Sequence, residues 1–225
     1  MSDRLSGQRV LVTSCQTYMG PPITELFRAE GAEVIADESA LLEPDEPAEL
    51  IERCGDLDAI IANLDLPAYG AKVADIDDEQ WIAGFDAMVH PLMRLVRAAA
   101  PSMAALGGGA IVALTSSSPL RRMKPYATSY VAARAAQNAF VRSAGHELAG
   151  TKVRLNAIAQ NFVHNDTYYP PSIMDNERFR DRLRSEVPAQ RLGEPHETAE
   201  LALFLASSAS SFIFGQVISN DGGWS

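Results

Sequence analysis

Four short runs in which nearly every residue is apolar punctuate the first half of the chain: Val10-Leu11-Val12, Val34-Ile35-Ala36, Ala59-Ile60-Ile61-Ala62 and Ala110-Ile111-Val112-Ala113-Leu114. Between them the apolar positions fall at helical spacing, as at Ile23, Leu26 and Phe27, or through the long stretch 78–106. A strand that is apolar on both faces must be covered on both faces, and alternation of such strands with helices specifies a parallel sheet between two helical layers. Further runs at 153–158 and at Val217-Ile218 fit the same sheet.

The pattern predicts an α/β fold, a Rossmann-like doubly wound parallel sheet flanked by helices, in a single domain over 1–225. The link 37–57 is too short for two full crossovers, each of which needs a dozen or more residues. It has room for one helix at about 47–53 and a minimal strand around Leu41-Leu42. The irregular stretch 160–195 holds Tyr168-Tyr169-Pro170-Pro171 and a short charged helix near 176–185. Long excursions past a strand's carboxyl end usually carry function, so this one reads as an insertion covering a pocket.

Composition narrows the partners. The chain has 225 residues, 47% of them apolar, and a formal charge of -10. Such a charge repels phosphate backbones and anionic membrane at long range, which leaves a small molecule as the expected partner, with no nucleic acid and no membrane. A polar start (1–8) that lacks a basic-then-apolar leader makes the cytoplasm the expected location. Cys15 and Cys54 are far apart, and His90, His146, His164 and His196 lack ligand spacing, so neither a disulfide framework nor a metal site is expected.

The candidate chemistry lies in the middle of the chain. Ser117 follows the strand that ends near Thr115, at the carboxyl edge where open sheets of this class bind ligands. Tyr130 and Arg134 are four apart on the next helix and project from one face. A phenol is a weak base at an ordinary pKa near ~10, and a fixed guanidinium beside it favours the phenolate. Arginine keeps its charge throughout, so it lends field and hydrogen bonds without exchanging protons. A serine within Ser116-Ser117-Ser118, or a Tyr/Arg pair at helical spacing, is not specific alone; the joint placement is.

That placement resembles the short-chain dehydrogenase/reductase superfamily over nearly the whole chain. The tail carries the most specific likeness, Arg191-Leu192-Gly193-Glu194-Pro195, Glu197, Phe204-Leu205-Ala206-Ser207 and Asp221-Gly222-Gly223. Two departures matter. The superfamily's active-site lysine is Arg134 here, and the glycine-rich turn after the first strand reads Thr13-Ser14-Cys15-Gln16-Thr17-Tyr18-Met19-Gly20, with Gly20 alone surviving. Glycines in that turn let a dinucleotide's pyrophosphate approach the backbone at a helix N-terminus, and Tyr18 adds a ring where the cofactor would lie. Both departures together resemble the halohydrin dehalogenases, whose signatures are matched by Thr13, Tyr18 and Gly20 and by the triad Ser117, Tyr130 and Arg134.

The resemblance implies a lyase without a nicotinamide cofactor, closing vicinal haloalcohols to epoxides with release of halide and, in reverse, opening epoxides with small anions such as azide, cyanide or nitrite. It implies a halide pocket in the vacated cofactor region, formed by Tyr18, by Gln160, Asn161, Phe162 and Val163 after the sixth strand-like run, and by Tyr169. Gln160 and Phe162 stand where many members have Pro and Tyr. It also implies a homotetramer; the faces with Ala132, Ala133, Ala136 and Phe140 and with Leu201, Leu203 and Phe204 are apolar enough to serve, or to be internal core.

Two other readings stay open. An NAD(P)-dependent oxidoreductase with an atypical loop is kept alive by Asp37, placed where an acid would meet a cofactor ribose, although an Asp after a strand commonly caps a turn. A non-catalytic binder on the same fold is opposed by the intact triad. Arg121, Arg122 and Lys124 read as a solvated basic loop and Asn63 as scaffold.

Overall fold

The computed structural model describes residues 3–66, 70–121 and 126–225. Six strands, β1 (Arg9–Val12), β2 (Glu33–Ala36), β3 (Ala59–Ala62), β4 (Gly109–Ser116), β5 (Val153–Gln160) and β6 (Val217–Asn220), form one sheet in the order β2-β1-β3-β4-β5-β6. Every neighbouring pair is parallel, so each return crosses the sheet through other structure. The helices are α1 (Gly20–Ala29), α2 (Glu46–Cys54), α3 (Asp78–Ala105), α4 (Thr128–Leu148), α5 (Glu177–Glu186) and α6 (Pro195–Ala206).

Alternate residues of each strand enter opposite cores, as the pleat requires. Val10, Val12, Ile61, Val112 and Leu114 pack with Ile23 and Phe27 of α1 and Ala202 and Leu203 of α6. Leu11, Ile60, Ile111 and Ala113 face the other way, onto Leu50 of α2, Leu92 and Leu95 of α3 and Val141 of α4. Among the apolar residues weighed as subunit faces, Ala133 and Leu203 are core, whereas Phe204 is exposed.

The expected minimal strand at Leu41-Leu42 does not form, and α2 is the only regular element between β2 and β3. Leu41 instead turns through a positive φ of 56° and buries its side chain in the α2/α3 core, while Leu42 is exposed. The segment after β5 does hold a short helix, α5, whose N-cap Asn176 accepts a hydrogen bond from the Phe179 N–H. Among the described residues no helix is long and apolar enough to cross a membrane, and no group of three or more His, Cys, Asp or Glu could hold a metal.

With β1 leading to β2 on one side and β3 lying on the other, the sheet's topological switch point falls between β1 and β3. The carboxyl-end crevice there is where ligands of this architecture are bound.

Candidate active site

The loop from Thr13 to Gly20 lies at that switch point. Ser14 (φ 45°) and Tyr18 (φ 54°) both hold left-handed backbone that glycine adopts freely and other residues adopt at a cost of about 1 kcal/mol each. Asn63, after β3, holds the strained turn: its Nδ2 donates to Ser14 O and Thr17 O, both at 2.9 Å. The Asn63 N–H donates to Thr13 Oγ1 at 3.0 Å. Thr13 is therefore a buried clasp between β1 and β3. Gly20 lies so close to the backbone that a Cβ there would sit 2.5 Å from Ser14 O. Thr13 and Gly20 shape the loop and are not among the described residues that line the two cavities beside it.

The start of α1 tests whether a dinucleotide's pyrophosphate fits. The first turn of a helix binds anions through free N–H groups. Here Gly20 N–H is spent on Thr17 O at 2.8 Å, and Pro21 and Pro22 have no N–H. The Cys15 and Thr17 N–H groups are also bonded internally, to Asp37 O and Ser14 O. Asp37 Oδ1 accepts from both the backbone N–H and the hydroxyl of Ser39, the arrangement of a turn-capping aspartate. The residues present do not fit the pyrophosphate.

An aromatic partition stands beside that loop. The nearly buried Tyr18 ring meets Tyr168 edge to face at 5.6 Å, and Tyr168 is 5.8 Å from the Tyr130 ring. Tyr168 OH donates to Leu66 O at 2.6 Å, and Thr167 Oγ1 to Asp65 Oδ2 at 3.1 Å. The post-β5 segment is thus tied to the residues after β3. On one side lies a cavity of about 330 Å3 lined by Ser14, Gln16, Thr17, Glu38, Leu64 and Asp65 among others. On the other lies one of about 160 Å3, walled by Tyr130, Tyr18, Gln160, Asn161, Val163 and Tyr169, with Ser116, Ser118, Asn165, Tyr168 and Arg182.

Tyr130 enters this smaller cavity from the first turn of α4. One turn on, Arg134 is wholly buried, its guanidinium carbon 5.2 Å from the Tyr130 ring centroid. Its Nη1 donates to Leu64 O, Leu114 O and Gln137 Oε1 at 2.9, 3.1 and 2.9 Å. Gln137 is fixed in turn by donating to Met88 O at 2.7 Å. Burial works against the charge of Arg134, but the facing phenols of Tyr130, Tyr168 and Tyr18 outweigh it and hold the group still more firmly protonated. Burial likewise pushes the Tyr18 and Tyr168 phenols up, and Tyr169 up to about 12. Burial also raises the Asp65 carboxyl, with Arg134 and the Thr167 hydroxyl opposing it.

Ser117 is fully buried between the two serines that line the cavity, and its N–H bonds Gln160 O at 3.3 Å across the β4/β5 edge. Its Oγ is buried without a hydrogen-bond partner among the described residues, and Ser117 itself is not among the residues that line the cavity. Five of the expected pocket residues line the cavity with Tyr130: Tyr18, Gln160, Asn161, Val163 and Tyr169. Phe162 does not. Its φ of 52° turns the ring into a separate core with Phe179, Leu183, Leu192 and Trp224, where it stacks on Tyr169 at 5.4 Å. Tyr168, an aromatic of the pocket-covering insertion, lines the cavity as expected, whereas the sequence does not single out Arg182 or Asp65, and the lack of donors at Pro21-Pro22 is readable in it. Arg121 donates to Trp224 O at 2.6 Å, whereas Arg122 and Lys124 lie outside the described residues.

Comparison with known proteins places these features in a family. A family model described as enoyl-(acyl carrier protein) reductase, of the short-chain dehydrogenase type, matches residues 46–225. A solved structure called "Dehalogenation enzyme" is 30% identical, with a TM-score of 0.90, over 98% of this chain and 99% of that one. The 3-oxoacyl-[acyl-carrier-protein] reductase FabG of Thermotoga maritima is 28% identical over 98% of each chain. Galactitol 2-dehydrogenase (L-tagatose-forming) of Cereibacter sphaeroides is also 28% identical, over 98% of this chain and 96% of its own.

Proposed function

Because the chain belongs to the short-chain dehydrogenase/reductase superfamily, we propose that it puts that superfamily's serine and tyrosine to a reaction without hydride transfer: closure of a vicinal haloalcohol to an epoxide with release of halide, and the reverse opening of epoxides by small anions. The carrying observation is the partition. Tyr18, Tyr168 and the donor-poor start of α1 interrupt the path a dinucleotide would follow, while a small cavity beside Tyr130 remains. The likeness to the dehalogenation enzyme supports the same reading.

In this reading Ser117 and Tyr130 hold the substrate hydroxyl, and Tyr130 as phenolate takes its proton. Arg134 supplies the phenolate with a fixed counter-charge. The freed oxygen lone pair forms the new bond to the neighbouring carbon, and the carbon–halogen bond breaks with its electron pair leaving on the halide. Tyr18, Asn161, Val163 and Tyr169 line the space on the far side, where aromatic walls suit a large, weakly hydrated anion. Holding nucleophile and leaving group anti to each other carries much of the rate. A homotetramer is proposed for the assembly.

The reductase and dehydrogenase relatives favour a second reading, an NAD(P)-dependent oxidoreductase. The two separate in one assay: a short vicinal chloro-alcohol incubated with protein in nicotinamide-free buffer. One chloride and one epoxide per substrate consumed is the expected result. No chloride under those conditions, together with NADPH-dependent reduction of a carbonyl substrate, would replace this reading by the second.

A further inference from the structure

The small cavity holds one feature that ring closure does not require. Arg182 reaches its wall from α5. Its guanidinium carbon lies 5.3 Å over the Phe162 ring, and its Nε donates to Glu186 Oε2 at 3.1 Å. Stacking on one side and a hydrogen bond at Nε fix the plane of the group. Among the described residues no hydrogen bond takes its two Nη atoms. The cavity wall contains no Asp or Glu, although the chain as a whole carries a formal charge of -10. Arg134, a second cation near Tyr130 among the described residues, is wholly buried with Nη1 committed to three acceptors; its Nη2 and Nε have no hydrogen-bond partner, but it does not line the cavity. Among the described residues Arg182 is therefore the cation that lines the cavity, ion-paired through Nε with Glu186 and with both Nη atoms left over, in a protein that otherwise repels anions at long range.

We propose that Arg182 is a specificity-determining residue and that the preferred haloalcohol bears a carboxylate at the end of its carbon chain away from the reacting pair. This rests on the haloalcohol reading above. The planar guanidinium, bonded through Nε to Glu186, has its two Nη atoms as a fork, and a fork matches the two oxygens of a carboxylate more fully than it matches a single spherical halide. With the carboxylate at Arg182 and the hydroxyl at Tyr130, two residues that line the same cavity hold both ends of a short substrate. The cavity of about 160 Å3 restricts that substrate to a small one.

The test compares 4-chloro-3-hydroxybutanoate with its primary amide in wild type, Arg182→Gln and Arg182→Lys, read as the acid-to-amide ratio of kcat/KM so that the folded fraction cancels. Wild type should favour the acid at least tenfold. Arg182→Gln should lose that preference, with kcat/KM for the acid falling at least tenfold further than for the amide, and Arg182→Lys should recover part of it. Calorimetry of unreactive 3-hydroxybutanoate against 3-hydroxybutanamide, on wild type, reads the same recognition without any chemistry. Tighter binding of the acid there with no chloride released from either chloro-alcohol would refute the haloalcohol reading and leave the anion site standing. Equal binding of acid and amide, or an Arg182→Gln defect equal on both substrates, would overturn the proposal; the second outcome would assign the guanidinium to the departing halide.

Discussion

The crevice over β1, β2 and β3 and the crevice over β4 and β5 share one sheet edge but follow different rules. The first is the wider, about 330 Å3, is bordered by Glu38 and Asp65, and has lost the donors at the head of α1. The second is half that volume and holds Tyr130 in front of a wholly buried arginine. On the proposed reading, the difference is that binding a dinucleotide and activating a hydroxyl are separable properties of the fold. The first depends on bare backbone and free N–H groups, which two prolines and a tyrosine remove. The second depends on side chains anchored in the core, and those are intact. Arg134 stands on the seam, bonded to Leu64 O after β3 and Leu114 O within β4.

The largest effect should come from disabling the smaller crevice without touching the larger. Tyr130→Phe removes the proton acceptor and keeps the ring against Tyr168 and Arg134. Halide release should fall by about three orders of magnitude or more with an unchanged melting temperature. Retention of the parent rate would mean that another group removes the proton.

Breaking the partition should cost less. Tyr18→Gly takes away the ring while suiting the positive φ at that position, so the two crevices join and water reaches Tyr130. Halide release should drop roughly ten- to a hundredfold, in keeping with lost positioning, and circular dichroism should report an intact fold. An unaffected rate would show that the partition is irrelevant to turnover.

The smallest effect belongs to the tie beneath the partition. Thr167→Val deletes the hydrogen bond to Asp65 at nearly constant volume and should cost about 1 kcal/mol, seen as a melting temperature lower by a few degrees. Halide release should stay within about twofold, because Tyr168 keeps its own bond to Leu66 O.

The sequence made the sheet legible because each strand is apolar on both faces, a pattern that only burial between two helical layers satisfies. Tyr130 and Arg134 were legible as a pair because four-residue spacing fixes one helix face. Leu41 and Phe162 were not. Periodicity puts Leu41 in a strand and the family resemblance puts Phe162 in the pocket, and in both a positive φ swings the side chain into a core, a choice that apolar periodicity does not encode. The partition joins Tyr168 to Leu66 and Thr167 to Asp65, each across 102 positions, and no local pattern reports such a contact. Arg182 lies among Arg178, Arg180 and Arg184 on α5, and composition cannot say which of the four faces the cavity.

The account stands on a dinucleotide having no place across the β1/β3 edge, and calorimetric titration of the purified protein with NADH and NADPH measures that directly. It predicts no saturable heat with either nucleotide up to millimolar concentration. A one-to-one complex of micromolar affinity with either would contradict it.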